Sequence, residues 1–390
     1  MHKQLFSEKT ERIKLSSIRE VAASVERASR QGLSVTNFAA GRPDVDSPAH
    51  AKHATQQAMT DGWVHYTKSI GLDALREAVS RRLGQDFGLE INPDRIIITL
   101  GATEAMFVAL QSILNPGDEV LVPQPMYVYY EGWISLGDAN LVPAPLSARD
   151  GFLLKAAHVR PKLSSRTKAL IINSPHNPTG QVFEKEDLLE IAALAAERDF
   201  YVICDDIYSY LLYDGARHFP LAGAPGLESR TIMIGSLSKT YAMDGWRVGY
   251  LIGPQGMIDR ALKIHQYAVG CANTFVQFGA TAALDGPQDF VKEMLAELDR
   301  RRLFMLSCLD DLAIPYVRPR GAFYVFPDIG KFRMSSKAFS DYLFSQAHVA
   351  VVPGDAFGPD GEGHIRMAYC IPFHEIEQGM ERMRRAIEKL

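Results

Sequence analysis

The residues best suited to chemistry in this sequence gather around one lysine. Lys239 closes the stretch Ser236-Leu237-Ser238-Lys239 after the apolar run Thr231-Ile232-Met233-Ile234, and Arg247 follows in Gly245-Trp246-Arg247-Val248-Gly249. An amine held among small hydroxyl groups at a strand end can bond covalently to a carbonyl carbon, and a guanidinium beside it can take an anion. Most lysines, however, are solvated surface groups. Lys239 acquires a chemical meaning only if other strand ends supply partners.

They do. Ile96-Ile97-Ile98-Thr99 runs into Gly101-Ala102-Thr103, where free backbone amides and a hydroxyl at the positive end of a helix make a phosphate seat. Gln124-Pro125-Met126-Tyr127 sets an aromatic ring where it can stack on a planar ligand. The turn Ser174-Pro175-His176-Asn177-Pro178-Thr179-Gly180 projects the Asn177 amide from a strand end, and Asp205 ends the run Tyr201-Val202-Ile203-Cys204, with Tyr208 shortly after. Singly, each has an ordinary reading: a helix cap, a core tyrosine, a loop, a capping carboxylate. Together they supply an amine for a Schiff base, an acid for a pyridine nitrogen, and amides and cations for a phosphate. That set is what pyridoxal phosphate requires.

Positioning these groups takes buried strands separated by helices. Short apolar runs predict strands over 96–99, 119–122, 141–142, 168–173, 201–205, 231–234 and 248–252, with helices over 102–114 and 185–198. Such runs indicate a largely parallel sheet covered on both faces, with ligands beyond the carboxyl ends of its strands. Helical spacing precedes the sheet over 15–30, 49–60 and 72–87. Beyond it, a helix over 290–309, strands over 316–317, 322–326, 349–352 and 364–368, and a helix over 376–390 predict a smaller lobe that the N-terminal helix joins.

The totals narrow the function classes. A chain of 390 residues, 47% of them hydrophobic, exceeds the roughly 250–300 residues of one core, so two lobes are expected. Its 42 basic and 46 acidic residues leave a formal charge of −4 without long runs of one sign, which gives no support to nucleic-acid or membrane partners. No apolar run reaches the about 18 residues of a membrane span, and the N-terminus has no segment of signal-peptide type. Cys204, Cys271, Cys308 and Cys370 are scattered, which suits reduced thiols in a cytoplasmic protein. His50 and His53 share a helix face, but no further ligands are spaced near them, and no metal site is expected.

On its motifs the sequence resembles the class I and II aminotransferases, pyridoxal-phosphate enzymes of fold type I. The likeness runs from Ser17 to the end, and Asn177-Pro-Thr-Gly180, Asp205-x-x-Tyr208, Ser236-x-Ser-Lys239 and Gly245-Trp-Arg-Val-Gly249 carry it. It implies an α/β fold: a large domain over residues 46–285, with a mostly parallel seven-stranded sheet between helices, and a smaller α+β domain from 1–45 and 286–390. It implies Lys239 as the internal aldimine and proton shuttle, and Asp205 as the partner of the pyridine nitrogen. Asn177 and Tyr208 are implied to bond the phenolic oxygen, and Tyr127 to stack on the ring. Ala102, Thr103, Ser236 and Arg247 are the implied phosphate ligands, joined by the partner subunit's Tyr66 in a homodimer with active sites at the interface. Arg366, in His364-Ile-Arg-Met, is implied to take the substrate α-carboxylate beside the Gly41 backbone.

The implied reaction is ping-pong transfer of an amino group from an L-amino acid to a 2-oxo acid, by way of pyridoxamine phosphate. Thr103 stands where one aspartate-aminotransferase branch has a substrate-binding lysine. Arg42 and Lys68 are cations where that branch has an acid and a proline; each can meet a substrate carboxylate or be a solvated charge. The same lysine and aspartate also support a carbon–sulfur β-lyase, which forms pyruvate and ammonia without an acceptor. A catalytically idle binding protein is the reading of another class, and against it every expected catalytic position is filled.

Overall fold

The computed structural model describes residues 6–390. After β1 (Thr36–Asn37), which pairs elsewhere, seven strands form the central sheet: β2 (Ile96–Thr99), β3 (Glu119–Gln124), β4 (Asn140–Pro145), β5 (Thr167–Asn173), β6 (Tyr201–Asp205), β7 (Thr231–Ser236) and β8 (Gly249–Ile252). Their order is β2-β8-β7-β6-β5-β3-β4. β8 runs antiparallel to both of its neighbours, and every other pairing is parallel. All residues of β2, β3, β7 and β8 are buried, which is why these segments read as unbroken apolar runs.

Successive strand residues point to opposite faces, and each face meets its own helices. Leu170, Ile172 and Val202 join Leu188 and Ile191 of the helix Lys185–Arg198 on one side. Ala169, Ile171 and Ile203 join Met106 and Leu110 of the helix Ala102–Ile113 on the other. The register pairs Asn173 with Asp205 and Asp205 with Ile234, so β5 and β6 finish level while β7 runs two residues further to Ser236.

The remaining strands are short. β9 (Tyr324–Val325), β11 (Val352–Pro353) and β12 (Ile365–Ala368) form an antiparallel sheet in the order β11-β12-β9, while β10 (Val349–Ala350) pairs in parallel with β1. A separate apolar cluster surrounds them, drawing on the helices Asp289–Asp311, Ser336–Ala347 and Phe373–Ile387.

Two strand expectations are corrected here. Residues 349–352 are two strands divided at Val351, because the halves pair with different sheets. Residues 316–317 are not a strand: Pro315 and Pro319 flank them and lack the N–H groups a ladder needs. Among the described residues no helix is long and apolar enough to cross a membrane, and no three metal-ligating side chains group together. All four cysteines are free.

Candidate active site

β7 ends in Ser236, which caps the short helix Leu237–Thr240 and so turns Lys239 into the space beyond the sheet. The Ser236 hydroxyl accepts from Ser238 N at 3.1 Å and reaches Val248 O, also at 3.1 Å, tying the turn to the chain that enters β8. Lys239 Nζ donates to Gly41 O at 2.6 Å. Burial lowers the lysine's pKa, and nearby Arg366 and Arg247 act in the same direction against Cys370 and Asp244. The amine is thereby biased toward the neutral, nucleophilic form.

Asp205 is 5% exposed at the end of β6. Its Oδ2 accepts from Tyr130 Oη at 2.6 Å, whereas Oδ1 is buried without a partner. Burial is the main cause that pushes its pKa up to about 7, and the Tyr130 hydrogen bond opposes the rise. A bare buried carboxylate oxygen is costly and calls for a donor from within the cleft. Asn173 steadies the strand end: its Nδ2 donates to Asp205 O at 2.8 Å, and its Oδ1 accepts from Asn177 N at 2.8 Å.

Arg366, 1% exposed on β12, donates to Asn177 Oδ1 at 3.1 Å and to Ala39 O at 3.0 Å, and its guanidinium lies 4.3 Å from the centre of the Tyr324 ring. Tyr324 Oη in turn lies 2.9 Å from Tyr208 Oη. A Cβ added at Gly41 would come within 2.9 Å of the same Tyr324 Oη, so only glycine lets this loop approach. Asn177, Arg366, Tyr324 and Tyr208 are therefore linked in one run of contacts, with Gly41 beside Tyr324.

The turn that follows β2 brings Gly101 and Arg247 together. Gly101 caps the helix Ala102–Ile113 with φ 81° and ψ 176°, a conformation that glycine alone adopts readily. Arg247 bridges the turn, with Nη2 donating to Leu100 O at 2.9 Å and Nη1 to Asp244 O at 2.8 Å. Ala102, Thr103, Tyr127, Asp205, Ser236, Lys239 and Arg247 line a single cleft. Tyr127 packs edge-on against Tyr130, with ring centres 5.6 Å apart. Tyr66 stands apart from all of these and is 94% exposed. Lys68 pairs with Asp73 at 2.5 Å, and Arg42 is exposed.

Sequence reasoning passed over Tyr130, Asn173 and Tyr324. Asn173 could have been found from the strand-end rule that found Asp205. Tyr130 and Tyr324 carried no local signal, since their partners lie 75 and 116 residues away.

Residues 34–383 match the family model described as aminotransferase class I and II. The chain belongs to this family. An aspartate aminotransferase of Pyrococcus abyssi is 38% identical to this aminotransferase over 358 residues, covering 91% of this chain and 92% of the relative. Aromatic-amino-acid aminotransferase 2 of Thermococcus litoralis is 37% identical and covers 92% and 93% of the two chains. Among solved structures, aspartate aminotransferase from Thermus thermophilus with maleate superposes with a TM-score of 0.95 at 34% identity, over 98% of this chain and 100% of that one. The aminotransferase has the fold type I architecture that its motifs implied, and its reaction class is amino-group transfer.

Proposed function

We propose that this aminotransferase holds pyridoxal phosphate in the cleft beyond β6 and β7 and moves an amino group from an L-amino acid to a 2-oxo acid. The observation that carries this reading is Asp205, with one oxygen held by Tyr130 and the other bare and buried in the cleft that also receives Lys239. A protonated ring nitrogen is the donor that such an oxygen lacks. The glycine-capped turn at Gly101, with Arg247 against it, has the chemistry of a phosphate seat. When bound, pyridoxal phosphate would supply an aldehyde for the amino group and a ring that accepts the electron pair left on the substrate Cα.

The chain's own residues do the rest. Lys239 Nζ, buried at the end of β7 and hydrogen-bonded to Gly41 O, would be the amine that holds the cofactor and the base that moves the proton at the substrate Cα. Asp205 would keep the ring nitrogen protonated, Asn177 and Tyr208 would bond the phenolic oxygen, and Tyr127 would cover the ring. Ala102, Thr103, Ser236 and Arg247, which line the same cleft, would hold the phosphate. Arg366 takes the substrate α-carboxylate as a fork, with Gly41 beside it.

The same reading extends to assembly. Tyr66 at 94% exposed, with Trp63 and Val64 half-exposed beside it, supports a homodimer in which the partner subunit's Tyr66 reaches the phosphate. Division into a large unit over 46–285 and a small one from 1–45 and 286–390, of which residues 1–5 lie outside the described residues, is supported by the apolar cluster drawn mainly from residues 290–386, although a second cluster joins Ala39, Phe326 and Val352 to the large sheet. The free thiols fit a cytoplasmic setting.

Borohydride reduction of the purified protein followed by peptide mass mapping tests the reading. The expected result is the cofactor's mass on the peptide containing Lys239, and loss of turnover in Lys239→Ala by about 10²–10⁴-fold or more. Intact turnover in Lys239→Ala would overturn it.

A further inference from the structure

We propose that Glu104 and His265 form a positioning clamp that sets the Leu100-Gly101 turn, and with it the phosphate seat, in register with Arg247. The proposal rests on the reading of that turn as a phosphate seat. Glu104 lies in the first turn of the helix Ala102–Ile113, with its side chain 9% exposed. Its Oε2 accepts from Leu100 N at 2.5 Å, and its Oε1 lies 2.6 Å from Nδ1 of His265, whose side chain is 0% exposed on the helix Gln255–Val269. Against a carboxylate oxygen Nδ1 must donate. Leu100 is therefore gripped at its N–H by Glu104 and at its carbonyl by Arg247 Nη2, at 2.9 Å.

Two features single out geometry rather than charge. Gly101, next in the chain, has no Cβ to restrict it, so the path of the turn must be fixed by bonds on either side. A carboxylate this close to an anion seat opposes a phosphate electrostatically, so its charge does not account for its presence. Its two simultaneous hydrogen bonds do. They join the turn to a buried side chain on a second helix that packs against the first.

Two substitutions separate the alternatives. Glu104→Gln keeps the side chain's length and an oxygen for Leu100 N while removing the charge, and its amide can donate to Nδ1 in the other His265 ring tautomer. Glu104→Asp keeps the charge but is one methylene too short to span both donors. The measurement is the affinity of the full-chain protein for pyridoxal phosphate and, separately, for pyridoxal, read from visible absorbance. Glu104→Asp is expected to weaken pyridoxal phosphate about tenfold, the scale of one lost hydrogen bond to a charged group, and to leave pyridoxal within about twofold. Glu104→Gln is expected to weaken pyridoxal phosphate less than Glu104→Asp does, the remaining loss reflecting the His265 Nε2 hydrogen left buried without a partner, and to leave pyridoxal within about twofold. His265→Phe, which cuts the second grip, is expected to weaken pyridoxal phosphate selectively.

The clamp is overturned if Glu104→Asp retains the preference for the phosphorylated ligand, or if its loss is equal for both ligands. Arg247→Ala is the control for the seat. If it leaves that preference intact, the seat reading fails and takes the clamp with it. If it abolishes the preference while Glu104→Asp does not, the clamp alone fails.

Discussion

Asp205 holds one oxygen in a hydrogen bond and leaves the other bare in a buried site, and this imbalance has a measurable consequence. Its pKa, about 7 in the folded chain against an ordinary 3.8, means that the fold binds the proton more tightly than the unfolded chain does. The stabilisation from that proton is complete below about pH 4 and is lost as the pH rises through about 7. In protein stripped of cofactor, Asp205→Asn should therefore raise stability at pH 8 by up to something on the order of 4 kcal/mol and leave it nearly unchanged at pH 4. Thermal unfolding at the two pH values checks this; equal effects at both would contradict it. Arg366 allows a second prediction at this scale. Its fork already serves Asn177 and Ala39, so Arg366→Lys, a single point charge, should raise KM for the amino donor about tenfold or more. The placement of Lys239, Asp205 and Asn177 beyond strand ends was legible because each closes or follows an apolar run. Tyr130, Tyr324, Glu104 and His265 were not, because what defines them is a contact made across the fold.

Elements were legible where one environment governs their whole length. The helix Lys185–Arg198 and the buried strands follow their apolar patterns, whereas residues 349–352 split because two sheets compete for them. The periodicity of 255–269 and 274–285 escaped the sequence reading, although both are helices. Thr274–Asp285 buries residues on much of its surface, which leaves no clean polar face to mark it. The link between helix and site is sharpest at Gly101. An added Cβ there meets Arg247 Nη2 at 2.7 Å, and the backbone lies in a region closed to other residues. Gly101→Ala should cost on the order of 1–3 kcal/mol in stability and weaken cofactor retention as Arg247 is displaced. Denaturant unfolding together with a cofactor titration checks both parts; unchanged retention would detach the turn from the phosphate.

At the scale of the molecule, the site draws on widely separated parts of the chain: Gly41, the ends of β5, β6 and β7, and Arg366 on β12. The alternation of buried strands and helices made the large sheet readable. The small sheets were less so, because their strands are only a few residues long and are fixed by partners distant in sequence. If the partner subunit's Tyr66 completes each site, mixing inactive Lys239→Ala with weakened Tyr66→Ala subunits should restore activity in the mixed dimer. There, the site that keeps Lys239 receives an intact tyrosine. No gain on mixing would place Tyr66 outside the site. The account's central claim is that Lys239 and Asp205 serve a two-stage transfer in which the holoenzyme, through its cofactor, keeps the amino group between the two substrates. Its most direct test is to mix the holoenzyme with an amino acid in the absence of any 2-oxo acid and count the product. The account predicts about one equivalent of 2-oxo acid per subunit, a shift of the visible absorbance, and reversal of that shift when a 2-oxo acid is added. Continuous release of product without an acceptor, or no release with any amino acid, would contradict it.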